Sequence, residues 1–461
     1  MSYVFLEETF KKMQNFKKVH EVAPDFEPRL AVRMKDEMPE SLKRAWDLAV
    51  FETESNIRPC PYGGEYFTAG GRGGWHNMLF GQDTTAIGLL AYNTLYPEVM
   101  RNQIRSYALA RLNVGFISPK YWEVEDCEKS INIDMDIWFP HSREFCNRYN
   151  MSPALNRTGQ DVGWLWAAGD LFDRCGDRVD WAWLFGMGEL FFEHFYNPFF
   201  DEGDGLYRGS ASFIDAGTPG YPASFGEFTS QEARNNTATR IKPASTNAIY
   251  VMNMEVLAHA AEQVGRTSDS AKWKRRADEL RAAIRNNLRL EDGTFSYFKH
   301  PDGTLEPRCE ALGAAYCVLA DVVTGDEAVT ALAKNRLQFG KAGVSLFYPF
   351  YDRQRTHHNN SAWPFASTLY YIACEKATGK SHMEADASQL AAAIDIHEKL
   401  SHNAVGQIEN YLTGSFFEYA GWSSQKTCGT PAQSWSIAAF MNLCLRNGWL
   451  DTDVIKGRFM P

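Results

Sequence analysis

Two acidic residues lie in parts of the sequence where a carboxyl group is unusual. Glu418 stands in FFEYAGW (416–422), among aromatic residues and shortly before an apolar helical pattern. Asp215 follows Phe213 and Ile214 in a loop-like stretch, DGLYRGSASFIDAGTPGYP (204–222). Apolar neighbours desolvate a carboxyl group and keep it protonated near neutral pH, as a general acid requires. Asp215 is therefore the candidate general acid, and Glu418, as a carboxylate that polarises water, is the candidate general base.

Each of these acids also has a structural interpretation. Asp215 can cap a turn through its side chain, and Glu418 can reach solvent or pair with an arginine. Asp83 follows Gly81 in WHNMLFGQDTTAIG (75–88). It can serve as a helix N-cap or bind hydroxyl groups of a ligand.

Further polar and aromatic residues accompany the predicted starts of helices and form the candidate binding set. Its members are Trp75, Gln82, Asp83, Asp161, Trp164, Asn247, His358, Asn359, Trp363, Tyr419, Trp422, Gln433 and Trp435. The cluster Ser245-Thr246-Asn247, beside Pro243, is typical of a helix N-cap. His357 and His358 are not expected to bind a metal.

Composition narrows the class of ligand. Lys and Arg number 47 against 57 Asp and Glu, a formal charge of −10, and no long basic run is present, which argues against nucleic acid and anionic membranes as partners. Aromatic residues make up 14% of the chain. Those that lie beside glycines and acids in loops suit a pocket that stacks against sugar rings. The expected partner is a small carbohydrate; the oligomeric state is left open.

The cysteine pattern and the N-terminus bear on cofactors and location. Nine cysteines are scattered without C-x-x-C or tight Cys/His spacing, so we expect reduced thiols, no structural zinc and no cofactor. The first residues, MSYVFLEETFKKMQNFKK, lack the apolar stretch of a signal peptide, and no run of 18 apolar residues occurs. A cytoplasmic location is the expectation.

Helical periodicity recurs from end to end of the chain. It predicts thirteen helices, near 40–54, 83–95, 98–111, 138–149, 160–173, 178–195, 245–264, 268–287, 309–323, 326–337, 360–378, 383–398 and 432–446. Only two stretches, TFSYFKH (294–300) and GVSLFYPF (343–350), are strand-like.

The connections between these helices alternate in length. The long ones, at 112–137, 196–244, 339–359 and 399–431, are rich in Gly, Pro, aromatics and acids. Long loops in a compact domain are usually functional or disordered, and these are too aromatic for disorder. The pattern predicts an all-α fold, an (α/α)6 toroid of six helical hairpins with the long loops and short β pieces on one face. A tandem helical repeat array is the alternative, although no fixed period is found.

Five segments, taken in order, carry a resemblance to a known group of proteins. They are FGQDT (80–84), DVGWLW (161–166), FIDA (213–216), HNNSAWPF (358–365), and FEYAGW (417–422) with GTPAQSWSIA (429–438). Together they resemble the six-hairpin glycosidases, above all the catalytic domain of the amylo-α-1,6-glucosidase (glycogen-debranching) family. The bacterial relatives of processing α-glucosidases and mannosylglycerate hydrolases show a similar plan.

The resemblance implies an (α/α)6 barrel and an inverting mechanism with Asp215 as acid and Glu418 as base. It also implies that Asp83, Asp161, His358 and Trp363 contact the innermost sugar. The domains would then be an N-terminal arm (1–40) and a catalytic domain (41–461).

The sequence departs from the family pattern at three places. Gln82 replaces an arginine in F-G-R-D-T, Asn360 replaces a glycine, and the stretch 218–240 is longer than expected. That stretch is predicted to close over the site and to limit it to short substrates. Glycogen debranching itself is therefore not expected.

The function predicted from the sequence is an inverting exo-α-glycoside hydrolase acting on a short oligosaccharide or small glycoside, an α-glucoside or α-mannoside. A sugar 2-epimerase, which would need a histidine pair facing across the ring, and a non-catalytic carbohydrate-binding protein on the same scaffold are the alternatives.

Overall fold

A computed structural model describes most of the chain. The described residues are 22, 25–60, 63–70, 78–113, 152–154, 162–214, 220–222, 240–335, 337, 339–340, 343–352, 357–379, 415–424, 427–452 and 457–461. The helices predicted near 138–149 and 383–398 lie outside the described residues.

The described part of the chain is built mainly from helices. They are α1 (Glu40–Ser55), α2 (Gly81–Ile87), α3 (Pro97–Asn113), α4 (Trp164–Cys175), α5 (Arg178–Phe191), α6 (Ala244–Gln263), α7 (Thr267–Leu288), α8 (Ala311–Leu319), α9 (Gly325–Ala333), α10 (Pro364–Thr378) and α11 (Ser434–Arg446). A π-helical turn, Gly88–Tyr92, and a last turn, Asn93–Leu95, extend α2, and Phe192–Tyr196 similarly extends α5.

Six of these helices form a closed inner ring. Helix α2 packs on α4, α4 on α6, α6 on α8, α8 on α10, α10 on α11, and α11 again on α2. Nearly every side chain of α6 is buried, as expected of a helix covered on all sides. The ring confirms the predicted (α/α)6 architecture.

The other helices pack around the outside of the ring. Helix α1 lies on α11, α3 on α2 and α4, α5 on α4 and α6, α7 on α6, and α9 on α8 and α10. Outer helices need only one apolar stripe, and α7 shows it: its buried residues recur every three or four positions, at Trp273, Ala277, Leu280, Ile284 and Leu288. The sequence region of the sixth outer helix, predicted near 383–398, is not among the described residues.

The connections place one end of every inner helix on a common face. Chain segments running from an inner to an outer helix are short, such as 176–177 and 264–266, whereas those entering an inner helix are long. Consecutive helices joined by a few residues are antiparallel, so the inner helices run parallel and their N-termini meet at one end of the ring. The described parts of the loops predicted at 196–244, 339–359 and 399–431 lie there, as predicted, and residues 114–137 lie outside the described residues.

Short strands order these loops. They are β1 (Ile57–Pro59), β2 (Glu65–Phe67), β3 (Met78–Phe80), β4 (Ser152–Ala154), β5 (Phe200–Asp201), β6 (Leu206–Tyr207), β7 (Lys242–Pro243), β8 (Phe298–Lys299), β9 (Cys309–Glu310), β10 (Phe339–Gly340), β11 (Gly343–Val344), β12 (Phe347–Tyr348), β13 (Ser361–Ala362), β14 (Tyr419–Gly421) and β15 (Thr427–Cys428). They pair as β1–β2, β3–β4, β5–β6, β7–β8, β9–β12, β10–β11 and β13–β14–β15. Only β3–β4 is parallel among these described pairs.

Two predictions about helix starts were wrong. Helix α10 begins at Pro364 rather than at residue 360, because Ser361–Ala362 pair with β14 and proline favours the first position of a helix. The polar cluster after Pro243 does not cap α6: Pro243 is the N-cap position and Ser245, Thr246 and Asn247 lie inside the helix, where they bind a neighbouring loop.

No helix among the described residues combines the length and the apolar character needed to cross a membrane.

Candidate active site

A three-stranded sheet brings two of the long loops together at the N-terminal end of the ring. Strand β14, which begins directly after Glu418, pairs antiparallel with β13, with Ser361 opposite Gly421 and Ala362 opposite Ala420. Strand β13 leads into α10 and β14 leads, through β15, into α11. Trp363 therefore lies against Tyr419, the neighbour of the predicted base, and His358 packs on Trp363 at 5.3 Å between ring centroids.

Glu418 is held in a defined position. Its side chain is 6% exposed, and one carboxylate oxygen, Oε2, accepts a hydrogen bond of 2.9 Å from the backbone N–H of Thr430. The Ser436 hydroxyl donates to the Glu418 carbonyl oxygen at 3.3 Å. A backbone N–H can only donate, so its contact stabilises the ionised carboxylate that a base requires.

Helix α1 anchors the loop that precedes Glu418. The buried carboxylate of Glu52 accepts a hydrogen bond from the Ser415 hydroxyl at 2.6 Å and one from the Phe416 backbone N–H at 3.1 Å. The Ser415 hydroxyl also accepts the Ala432 backbone N–H at 2.8 Å. The loop is thus fixed three residues before the candidate base.

Phe213 joins the candidate acid segment to this sheet. Its ring lies 4.6 Å from the Trp363 ring, 5.1 Å from His358 and 5.2 Å from Trp435, centroid to centroid. Trp363 in turn stacks on Tyr419 at 4.7 Å. Trp363 therefore connects Phe213 with Tyr419, the residue next to Glu418, although Phe213 and Tyr419 lie about 200 positions apart in sequence.

Backbone strain concentrates in the same loops. The described residues include five non-glycine residues at positive φ: Phe213 (75°), Asp321 (55°), His357 (42°), Asn360 (54°) and Ala432 (52°). All but Asp321 belong to this cluster of loops. Such conformations cost about 1–3 kcal/mol each and persist where surrounding structure enforces them, often at functional sites.

Asn360 explains one departure from the family pattern. Its φ of 54° is the left-handed conformation that glycine and asparagine adopt most readily. Its side-chain oxygen also accepts hydrogen bonds from Ser423, at 3.2 Å from the backbone N–H and 2.8 Å from the hydroxyl, and its carbonyl accepts the Trp422 N–H at 2.8 Å. Asparagine thus preserves the turn and adds a link to the β14 loop.

Several buried polar atoms at this end of the ring have no hydrogen-bond partner among the described residues. They are Gln82 Oε1 at the start of α2, both carboxyl oxygens of Glu310 at the start of α8, and Gln433 Oε1 and Trp435 Nε1 at the start of α11. An unpaired buried polar group costs about 1–3 kcal/mol. A ligand with many hydroxyl groups would satisfy such atoms.

Asp83 occupies the third position of α2 and is buried. It is not an N-cap, because Phe80 occupies that position. Asp83 and Gln82 are therefore both in the first turn of an inner helix, at the loop-bearing end of the ring.

Three predicted binding residues are engaged in the fold itself. Trp164 packs against Phe191 at 4.7 Å and donates its indole N–H to Tyr196 at 3.0 Å, between α4 and α5. The Asn247 side chain binds the backbone of Tyr207 and Pro243. The Asn359 side chain binds both backbone groups of Tyr351. The remaining predictions, Trp75, Asp161 and Asp215, and most of the stretch 218–240, lie outside the described residues.

Glu310 is a buried acid at the start of an inner helix that the sequence analysis missed. It sits at the N-cap position of α8 and is 2% exposed. Burial raises the pKa of Glu310 well above its usual value, and the Ser245 hydroxyl opposes that rise. The sequence CEALGAAYCVL (309–319) does place an acid directly before an apolar helical pattern. The two preceding residues, Arg308 and Cys309, form no turn or cap motif that would have drawn attention to it.

Replacing Glu310 by glutamine should stabilise the protein increasingly as pH rises. The pKa of Glu310 is higher in the folded than in the unfolded protein. Its contribution to the free energy of unfolding is therefore most favourable below the unfolded-state pKa and is lost as pH rises through the folded-state pKa. A glutamine at this position carries no such dependence. We expect Glu310→Gln to raise Tm, and to raise it more at pH 8 than at pH 5, measured by calorimetry.

The exposed Glu327 provides the control. Glu327→Gln should change Tm little and equally at both pH values. An increase for Glu310→Gln that is the same at pH 5 and pH 8 would contradict the raised pKa.

The comparison of the sequence with family models gives one match. Residues 212–436, just under half of the chain, match the mannosylglycerate hydrolase MGH1-like glycoside hydrolase domain. That span begins at the strained segment before Asp215 and ends within α11, so it contains both candidate acids. No curated protein sequence matches the chain.

Solved structures share the fold at low sequence identity. A GH63 mannosylglycerate hydrolase from Thermus thermophilus, in complex with glucose, is 13% identical with a TM-score of 0.53, over 86% of this chain and 98% of that chain. Neutral trehalase from Saccharomyces cerevisiae is 13% identical with a TM-score of 0.52, over 85% of this chain and 76% of that chain. A sialidase is 12% identical with a TM-score of 0.61, over 96% of this chain but only 37% of its own length.

These likenesses confirm the resemblance to six-hairpin glycosidases and the all-α toroid. The chain spans little more than a third of the first structures it matches, 37% of the sialidase and 36% of a GH78 rhamnosidase of Bacillus sp. GL1. The matched segment is similar to a glycoside hydrolase domain, which supports a carbohydrate as the class of ligand.

Proposed function

We propose that this protein is an inverting exo-acting α-glycoside hydrolase whose substrate is a short oligosaccharide or small glycoside. The observation that carries the proposal is the placement of Glu418. It is a buried carboxylate that accepts a backbone N–H, and it lies beside an aromatic cluster and unpaired polar atoms at the loop-bearing end of an (α/α)6 ring.

In the proposed reaction two carboxyl groups divide the proton transfers. Asp215 donates its proton to the glycosidic oxygen as the bond between that oxygen and the anomeric carbon breaks. Glu418 removes a proton from a water molecule, whose oxygen attacks the anomeric carbon from the opposite face. Asp215 ends ionised and Glu418 protonated, and exchange with solvent restores both. Inversion requires carboxyl groups about 6.5–9.5 Å apart, which leaves room for the water.

The surroundings of Phe213 and Ile214 support the role of Asp215. Phe213 is held at a φ of 75° against a cluster of aromatic rings, and the Tyr221 hydroxyl bridges the segment by accepting the Ala211 N–H and donating to the Ile214 carbonyl, each at 3.0 Å. These contacts fix the chain up to Ile214, the residue directly before the proposed acid.

Substrate recognition would rest on the polar groups at the starts of the inner helices. Gln82, Gln433 and Trp435 offer two side-chain oxygens and an indole N–H without described partners. A pocket that hydrogen-bonds sugar hydroxyl groups discriminates strongly against sugars that leave these atoms unpaired. We propose Asp83, His358, Tyr419 and Trp422 as further contacts, because they lie on the same loops and helix starts.

The reaction product tests the proposal. We expect the purified protein to hydrolyse an aryl α-glucoside or α-mannoside, and proton NMR within the first turnovers to show the β-anomer of the released sugar. An α-anomer would contradict inversion. An epimer without cleavage would indicate a sugar 2-epimerase, and sugar binding with no chemical change would indicate a non-catalytic carbohydrate-binding protein.

A further inference from the structure

Glu310 has no arginine or lysine partner for its carboxyl group among the described residues. Although it is at the N-cap position of α8, its carboxyl group makes no cap hydrogen bond with the described residues. Neither oxygen is in standard hydrogen-bond geometry with a described residue. The Ser245 hydroxyl is close enough to favour the ionised form, but burial has the larger effect and raises the pKa of Glu310. A buried acid without compensation destabilises the fold, so stability does not explain its presence.

The side chain of Glu310 lies over the first turn of α8, beside the start of α6. A Cβ atom placed on Gly313, one turn further along, would come within 3.0 Å of Glu310 Oε2, so the carboxyl group folds over that glycine. Tyr316, further along α8, contacts Trp166 of α4 at 5.3 Å. Since α6 stands between α4 and α8 in the ring, that contact crosses the interior of the ring.

The position of Glu310 is also tied to the candidate acid segment. Ser245, whose hydroxyl faces the Glu310 carboxyl group, accepts a hydrogen bond of 3.1 Å from the backbone N–H of Ser212. Thr246, the next residue of α6, donates its hydroxyl to the Ser210 carbonyl at 2.7 Å. Glu310 therefore stands next to the segment that leads, through Phe213 and Ile214, to Asp215.

We propose that Glu310 is a specificity-determining residue that binds one hydroxyl group of the sugar at the loop-bearing end of the ring. This inference rests on the proposed function and adds a third carboxyl group to it. A neutral carboxylic acid both donates and accepts a hydrogen bond, so it matches a sugar hydroxyl group, which does the same. The ligand class is a hexopyranose with a free hydroxyl group at the contacted carbon.

The test compares parent sugars with analogues that lack a single hydroxyl group. The probes are aryl α-glucoside and α-mannoside and their 2-, 3-, 4- and 6-deoxy forms, for kcat/KM, and the corresponding free sugars, for Kd by calorimetry. The variants are Glu310→Met, which keeps the volume and removes the hydrogen bonds, and Glu310→Gln, which keeps one donor and one acceptor. Glu306→Met is the matched control, because Glu306 is also buried but pairs with Arg308 at 2.6 Å.

We expect one deoxy position to lower kcat/KM of the wild-type protein by about 100-fold or more, and the same deoxy position to matter less than about threefold in Glu310→Met. Glu310→Gln should retain most of the discrimination, and Glu306→Met should retain all of it.

If every deoxy position is discriminated equally by the wild-type protein and by Glu310→Met, the inference is overturned, even though hydrolysis by the wild-type protein upholds the proposed function. Deoxy-dependent sugar binding that disappears in Glu310→Met, without any hydrolysis, would uphold the inference and overturn the proposed function. If Glu310→Met does not fold, Glu310→Ala takes its place: loss of the discrimination in Glu310→Ala supports Glu310 as the contact, and discrimination equal to that of the wild-type protein overturns the inference.

Discussion

Replacing Glu418 by glutamine should lower kcat by about 10³-fold or more, with KM changed less than about threefold. Glutamine has nearly the shape of glutamate and keeps an oxygen that can accept the Thr430 N–H, but it cannot take a proton from water. General acid–base groups typically contribute about 10²–10⁴-fold to the rate. Steady-state kinetics on the aryl α-glycoside that the wild-type protein cleaves fastest would measure the loss.

The same experiment on Asp215 separates the two roles. Asp215→Asn should also reduce kcat strongly with a poor leaving group, but the loss should shrink with a dinitrophenyl leaving group, which departs without protonation. Glu418→Gln should show no such recovery, because attack by water still needs the base. Glu327→Gln, at an exposed ion pair with Arg289, is the control and should leave both constants unchanged. Turnover near the wild-type level in Glu418→Gln would defeat the assignment of the base.

Gly429→Ala should lower kcat about 100-fold, because the added side chain displaces Glu418. Gly429 has a φ of 78°, and a Cβ atom built there would lie within hard contact of the Glu418 side chain, at 2.5 Å from its Cβ. The carboxylate therefore cannot keep its place on the Thr430 N–H when residue 429 carries a side chain. A displacement of about 1 Å at a catalytic group is enough for a loss of this size.

Gly448→Ala is the matched control for this substitution. Gly448 has a similar φ, 64°, but nothing lies within 4 Å of a Cβ built on it. Both variants share the backbone penalty of about 1–3 kcal/mol for a left-handed alanine, so both should melt at a somewhat lower temperature. Only Gly429→Ala should lose kcat. Equal kinetic losses in the two variants would show that general destabilisation, and not the position of Glu418, is responsible.

The two further experiments, product stereochemistry and the deoxy-sugar comparison at Glu310, address different parts of the same site. The first asks which bond is broken and from which face water attacks. The second asks which hydroxyl group is recognised. Hydrolysis with inversion but without any dependence on Glu310 would leave recognition to Gln82, Gln433 and Trp435, whose buried polar atoms also lack described partners.

Sequence patterns were sufficient for the architecture. Burial on every side gives an inner helix such as α6 continuous apolar character, and burial on one side gives an outer helix such as α7 a stripe. The alternation of short and long connections then requires inner helices to start at one end. Hydrophobic periodicity and connection length depend on residues close together in the chain. These local patterns predicted the ring and its loop-bearing face, and the local aromatic setting singled out Glu418.

Sequence patterns could not decide which side chains of each motif face the site. Trp164, Asn247 and Asn359 belong to the predicted motifs, yet their side chains complete the core or hold a loop. Consecutive side chains at the start of an inner helix point about 100° apart around the helix axis and so meet different partners. Spacing in the sequence therefore cannot distinguish a residue that contacts a ligand from one that packs in the core.

Only the tertiary structure decided the contacts between distant segments. Closure of the ring brings Phe213 against Trp363 and Trp435. It also sets Gly429 beside Glu418, where the glycine leaves room for the carboxylate, and buries the Glu310 carboxyl group without a hydrogen-bond partner among the described residues. The chain alone specified helices, their faces and a pair of candidate acids, because these follow from local burial and periodicity. The fold determined the environments of Glu418 and Glu310, because those environments are made by residues that come together only when the ring of inner helices closes.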